Sequence, residues 1–180
     1  MTTSTSRLAR LGLLCAAATV LGAEAPRLGL TAGAAWPTGG TRDHITESAG
    51  CTVGAFADWE QRPGHAIRLA LDGNFHPRSS SRLAPGYGGR GEAQSQSLTL
   101  NYVFKPRADF QGFFIVLGAG GMNVQRRQGN FLYETGVKLS WNAGFGVDMN
   151  ERWGLLARYH SISTEGRNLG TVTAGLTYRF

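Results

Sequence analysis

Four side chains near the end of the chain, His160, Ser161, Ser163 and Glu165, are of the types that make a nucleophile, its base and an orienting acid. Such chemistry needs the hydroxyl within hydrogen-bond reach of the imidazole. In an extended strand, residues one and three apart point to opposite faces. His160 therefore turns away from both serines, and Ile162 holds the next position on its own face. The spacing favours a lumenal His160 and ordinary serines at a rim. The other histidines, His44, His65 and His76, fall on separate segments without metal-ligand spacing. Gly86-Tyr-Gly-Gly-Arg-Gly91 lacks the Lys and the Ser or Thr of a phosphate loop and opens no helical pattern. No catalytic, cofactor or metal site is expected. The formal net charge of +6 could suggest nucleic acid, but Arg7 and Arg10 precede an apolar leader and many other arginines alternate with apolar residues. No nucleic-acid partner is expected.

The elements that carry these residues follow from a period of two. From Glu134 to Asp148 the odd positions hold Thr135, Val137, Leu139, Trp141, Ala143, Phe145 and Val147, while the even positions are polar, charged or glycine. Fifteen residues of alternation is far longer than the five or six of an ordinary strand. The same split recurs along Cys51 to Glu60, Ala66 to Phe75, Leu98 to Phe104 and Trp153 to His160; Phe110 to Val124 is ambiguous because both faces are apolar. The spacing predicts eight strands, at 27–36, 50–60, 65–75, 92–104, 110–124, 134–148, 152–162 and 169–180. Every odd-numbered connection is longer than every even-numbered one. Residues 1–25 read as a secretory signal cleaved near 23–25, which leaves 26–180 as one domain with Cys51 as its single cysteine. The stretch Leu11 to Ala23 is too short for a membrane-spanning helix of about 20 residues.

An all-β, eight-stranded antiparallel up-and-down transmembrane β-barrel satisfies this pattern, with short periplasmic turns and long extracellular loops. A soluble barrel with an apolar lumen is the rival. Large residues with aromatics at strand ends, Trp36, Trp59, Tyr102, Phe104, Trp153, Tyr159 and Tyr178 among them, argue for an outward apolar belt with interfacial girdles. The opposite face then carries Asp58, Arg68, Asp72, Glu134, Lys138, Asp148, Arg158 and Arg179. Inside eight strands such charges survive only in pairs, so a lumenal charge network is expected. Asp58 and Asp72 both stand as partners for Arg68. The odd-numbered loops hold Arg42, Arg78, Arg82, Arg90, Arg126, Arg127 and Arg167 against Asp43, Glu47 and Glu165. Of these, Arg78, Arg82, Arg126 and Arg127 are expected to contact lipopolysaccharide phosphates, since arginine can hold a phosphate bidentately.

The final strand, with Val172, Ala174, Leu176, Tyr178 and Phe180 on one face, resembles the terminal signal by which outer-membrane barrels are recognised for assembly. Together with Gly118-Ala-Gly-Gly121, Trp141-Asn-Ala-Gly-Phe-Gly-Val147 and the run Asn150 to His160, it makes the chain similar to the OmpA/OmpX-type eight-stranded barrel superfamily. The resemblance implies an outer-membrane monomer among lipids and lipopolysaccharide, assembled by the barrel-assembly machinery, with Leu176, Tyr178 and Phe180 in the assembly signal. It identifies architecture better than activity, because adhesins, stress-related proteins and lipid enzymes share the fold. Barrels that deacylate lipid A carry His and Ser two apart on one face, a spacing that Ile162 breaks here. A structural or surface-interaction role is the expectation, with a lipid A-modifying enzyme and a small-solute channel as alternatives.

Overall fold

The computed structural model describes residues 25–44, 49–77, 92–106, 112–128, 131–164 and 167–180. The leader and the glycine-rich segment at Gly86 lie outside these residues. The strands are β1 (Arg27–Gly39), β2 (Gly50–Arg62), β3 (His65–His76), β4 (Glu92–Phe104), β5 (Gly112–Gln128), β6 (Phe131–Glu134), β7 (Lys138–Asp148), β8 (Trp153–Thr164) and β9 (Arg167–Arg179), with one short helix, α1 (Gly40–His44), after β1. Neighbours in sequence pair antiparallel except β6 and β7, which both pair with β5, and β1 pairs with β9 to close the sheet into a barrel. The helix was not foreseen, since five residues show no period.

One hydrogen-bonded row fixes the geometry. It runs Arg27, Asp58, Arg68, Asn101, Gly118, Asn142, His160, Thr171 and back to β1 at Pro37, ten residues above its start. Eight strands with that offset tilt about 40° from the axis on a radius of about 8 Å. Each residue then climbs about 2.5 Å along the axis. The outward apolar face of β1 runs from Leu28 to Trp36 and that of β3 from Ile67 to Phe75. Both cover about 20 Å of height before their side chains add to it, close to the 25 Å band of outer-membrane barrels. Trp59, Tyr102, Phe104, Trp153 and Tyr178 ring the turn end; Trp36, Phe75 and Trp141 ring the loop end.

Nine segments make eight staves because β6 and β7 are one stave interrupted by a bulge. β5 pairs Gln125 with Glu134 but Met122 with Lys138, so three residues, Thr135 to Val137, oppose two. Gly136 supplies the left-handed backbone the bulge requires, at φ 64°. Thr135 anchors it by exchanging backbone and hydroxyl hydrogen bonds with Val124, each of 3.0 Å. One extra residue reverses which face each side chain takes.

The lumen is layered. Near the turns Val103, Phe114, Val116 and Leu156 pack together, with Ala66 against them. Near the loops Ala93, Met122, Val124, Ile162 and Leu169 do the same. Between the two lie Asp72, Arg158 and hydroxyls such as Thr99 and Thr173, while Asp58, Arg68, Asp148 and Arg179 stand at the level of the lower layer and the turns. This resolves the ambiguity of Phe113 to Leu117: Phe113, Ile115 and Leu117 face lipid, whereas Phe114 and Val116 enter the lower apolar layer.

Candidate functional site

The lumenal charges are brought together by strand alternation. Arg68 Nε and Nη2 donate to Asp58 Oδ1 and Oδ2 at 2.6 and 2.8 Å, which selects Asp58 over Asp72 as its hydrogen-bonded partner. Its guanidinium also lies over the Phe56 ring, 4.2 Å from the centroid, with Phe114 at 5.9 Å. Arg179 bridges onward, with Nε 3.8 Å from Asp58 Oδ2 and Nη1 2.7 Å from Asp148 Oδ1. Lys105 Nζ closes the series on Asp148 Oδ2 at 2.8 Å. An alternating ladder thus runs from buried Arg68 to the β4–β5 turn.

A separate pair crosses the barrel. Arg158 on β8 donates through Nη2 to Asp72 Oδ1 at 2.5 Å, and β8 stands four staves from β3, on the opposite wall. Glycine makes the crossing possible. A Cβ on Gly54 would sit 2.5 Å from Asp72 Oδ1, and one on Gly144 would sit 2.5 Å from Arg158 Cγ.

Two residues assigned to this network by alternation lie elsewhere. The bulge at Gly136 turns Glu134 outward, where its Oε1 accepts from Asn123 Nδ2 at 2.6 Å and Gln125 Nε2 at 2.9 Å. Those donors, Gln125 first and Asn123 second, hold the Glu134 carboxyl below its ordinary range. Lys138 keeps its inward register but is exposed at the mouth. Lys105 was missed. It follows outward Phe104, so extending the β4 alternation by one residue would have placed it inward.

His160 lies buried in the lumen, in register with Asn142 and Thr171, and neither ring nitrogen has a hydrogen-bond partner among the described residues. Ser161 is buried on the other parity and Ser163 is exposed, while Glu165 lies outside the described residues. No nucleophile and base are joined there. Among the described residues no group of three His, Cys, Asp or Glu side chains could hold a metal ion.

At the loop end Arg42 and Arg127 are exposed. Arg126, expected to contact lipid phosphate, is instead buried, because its even position continues the inward face of Met122 and Val124. Arg78 and Arg82 lie outside the described residues. The outward faces of β4 and β5 change from apolar to amide near this end. Gln96 registers with Asn123, and Gln94 with Gln125 and then Glu134. Gln94 Nε2 donates to Gln125 Oε1 at 2.7 Å.

A family model described as the outer membrane protein beta-barrel domain matches residues 7–180. The chain belongs to that family. Solved structures of similar fold include Ail, the attachment invasion locus protein of Yersinia pestis, in complex with the heparin analogue sucrose octasulfate. It is 15% identical with a TM-score of 0.58, covering 87% of this chain and 100% of that one. Neisserial surface protein A is 15% identical with a TM-score of 0.55, covering 88% and 99%. The N-terminal β-barrel domain of Pseudomonas aeruginosa OprF is 12% identical with a TM-score of 0.54, covering 87% and 98%. At these identities the likeness is one of fold. No curated protein sequence matches the chain. In this family of outer-membrane barrels the apolar girdled face meets lipid and the charged face lines the interior.

Proposed function

We propose that this outer-membrane barrel is non-catalytic and acts at the cell surface, where its loop end holds the anionic glycolipid lipopolysaccharide. The observation that carries the reading is the filled lumen: two apolar clusters, the Arg158–Asp72 pair between them and the Arg68–Asp58 pair beside the lower one occupy the interior, so binding falls to the outer wall and the loops. Exposed Arg42 and Arg127 supply cations at the loop end, and Arg78 and Arg82 in the sequence after β3 add two more charges to that loop. Ail, of similar fold, has been crystallised with a polysulfated sugar, which is consistent with anion binding on such a scaffold. The barrel-assembly machinery is the proposed partner in biogenesis, through the face of Leu176, Tyr178 and Phe180, and the working unit is a monomer.

Against a lipid A deacylase stands His160, which faces the lumen without Ser163 beside it. The channel reading meets two apolar layers across a lumen of about 8 Å backbone radius. Two measurements test the proposal. Mass spectrometry of lipid A from membranes treated with the refolded protein should show unchanged acylation; loss of an acyl chain that His160→Ala abolishes would overturn the non-catalytic reading. Replacing Arg78, Arg82 and Arg127 by Gln should reduce lipopolysaccharide co-purification and its salt sensitivity. No change in either would remove the rim from the proposal.

A further inference from the structure

We propose that the outward amide rows of β4, β5 and β6 form a saccharide-binding strip that takes the glucosamine hydroxyls of the lipid A headgroup beside the barrel. The inference rests on the outer-leaflet reading above for the source of the glycolipid and adds a separate contact of different chemistry. On β4 the outward face runs Phe104, Tyr102, Leu100, Leu98 and then Gln96 and Gln94; on β5 it runs Phe113, Ile115, Leu117, Ala119, Gly121 and then Asn123 and Gln125. Both strands change chemistry at the same register, Gln96 opposite Asn123. Counted along the axis, that row stands about 20 to 25 Å above the turn-end girdle. This is where the hydrocarbon of an outer leaflet ends and its sugars begin.

The amides are ordered before any ligand arrives. Gln94 donates to Gln125, and Gln125 and Asn123 both donate to Glu134 Oε1. Asn123 Oδ1 also accepts from the Thr135 hydroxyl at 3.3 Å. A primary amide has two donors and two lone pairs, so each member keeps donor or acceptor capacity that these bonds do not use. Gln96 is exposed and its side chain makes no hydrogen bond among the described residues. Planar amides and a carboxylate at strand spacing offer alternating donors and acceptors to vicinal hydroxyls, and holding the side chains in advance lowers the entropy cost of binding. Exposed Leu98 below and Leu132 beside the strip give apolar contact for sugar C–H faces. The arginine rim reads phosphate; this strip reads hydroxyl.

The test compares two probes on the refolded full-length barrel in detergent: lipid A, whose acyl chains carry a phosphorylated glucosamine disaccharide, and phosphatidic acid, which has acyl chains and phosphate but no sugar. The double variant Asn123→Ala with Gln125→Ala should lose about tenfold in affinity for lipid A, the size of two ordinary hydrogen bonds. Its binding of phosphatidic acid should be unchanged. Gln96→Ala, which disturbs no hydrogen bond of the hairpin, should weaken the same probe by about threefold, with heat-modifiable migration reporting an intact barrel. Equal loss for both probes, or unchanged binding of lipid A by Gln96→Ala and the double variant, would overturn the strip. The rim arginine variants should weaken both probes alike, so failure of the phosphate reading shows separately.

Discussion

Removing the cross-lumen cation should cost more than removing any surface charge. In Arg158→Met the stem is kept and the guanidinium lost, which leaves Asp72 buried opposite it. The Asp72 carboxylate is 4% exposed, its Oδ1 receives Arg158 at 2.5 Å, and its Oδ2 has no hydrogen-bond partner among the described residues. Gly54 and Gly144 flank the pair, so neither offers a side chain to replace the lost donor. Breaking a buried pair in this way costs about 3 to 5 kcal/mol. Taking both charges away, as in Arg158→Met with Asp72→Leu, removes the stranded carboxylate and should restore most of that loss. The contrast is Arg27→Gln, which disrupts an exposed 3.7 Å contact with Glu60 and should cost about 0 to 1 kcal/mol. Urea unfolding of the barrel in lipid vesicles, followed by tryptophan fluorescence, reads all three. At a slope of about 2 kcal/mol/M the single variant should lower the midpoint by about 1.5 to 2.5 M. A shift no larger than that of Arg27→Gln, or a double variant as unstable as the single one, would refute the coupling.

Gly136→Ala should strain the bulge by about 1 kcal/mol because alanine must adopt φ 64° there; hydrogen exchange should quicken over Phe131–Glu134 while the global midpoint holds. The Glu134 carboxyl should titrate below 4.5, its ordinary value. Because its folded-state pKa is depressed, it favours the hairpin above the unfolded pKa, and that contribution disappears as pH falls through the folded value. Carboxyl NMR titration of the wild type, with Glu134→Gln as a blank, measures the direction. Phe180→Asp should reduce assembled barrel in cells far more than Phe180→Leu, as counted by heat-modifiable migration. Equal yields would show that the outward aromatic at Phe180 carries no assembly signal.

Alternation was enough to find the staves, the lipid-facing side and six of the lumenal charges, since β-sheet geometry assigns faces by parity. Its failure at Glu134 has a single cause: parity holds only while the register does, and one residue inserted at the bulge changes the sign for everything beyond it. Gly136 could have hinted at this, but a chain with 26 glycines offers too many such hints. Arg126 fails differently. Residues 125–133 were read as loop, where parity has no meaning, yet β5 continues to Gln128 and carries Arg126 inward with it. The choice of Asp58 for Arg68 was also beyond the sequence, because it depends on the register between β2 and β3, which sets them directly opposite.

The wall turns inside out as it rises. Around its lower two-thirds, oil faces outward and the inward face carries the charges beside one small apolar cluster; at the loop end of β4 and β5, Gln94, Gln96, Asn123 and Gln125 face outward while Ala93, Met122 and Val124 face inward with Ile162 and Leu169. The upper rim is therefore built like a water-soluble protein on top of a membrane one, in a single continuous sheet. Its core is held by the aversion of water for hydrocarbon, which fades on cooling. The belt below gains nothing from water and rests on close packing against lipid and on its interior pairs. Cold should loosen the crown of this barrel before its trunk, and the loops would then lose their platform while the membrane span stayed whole.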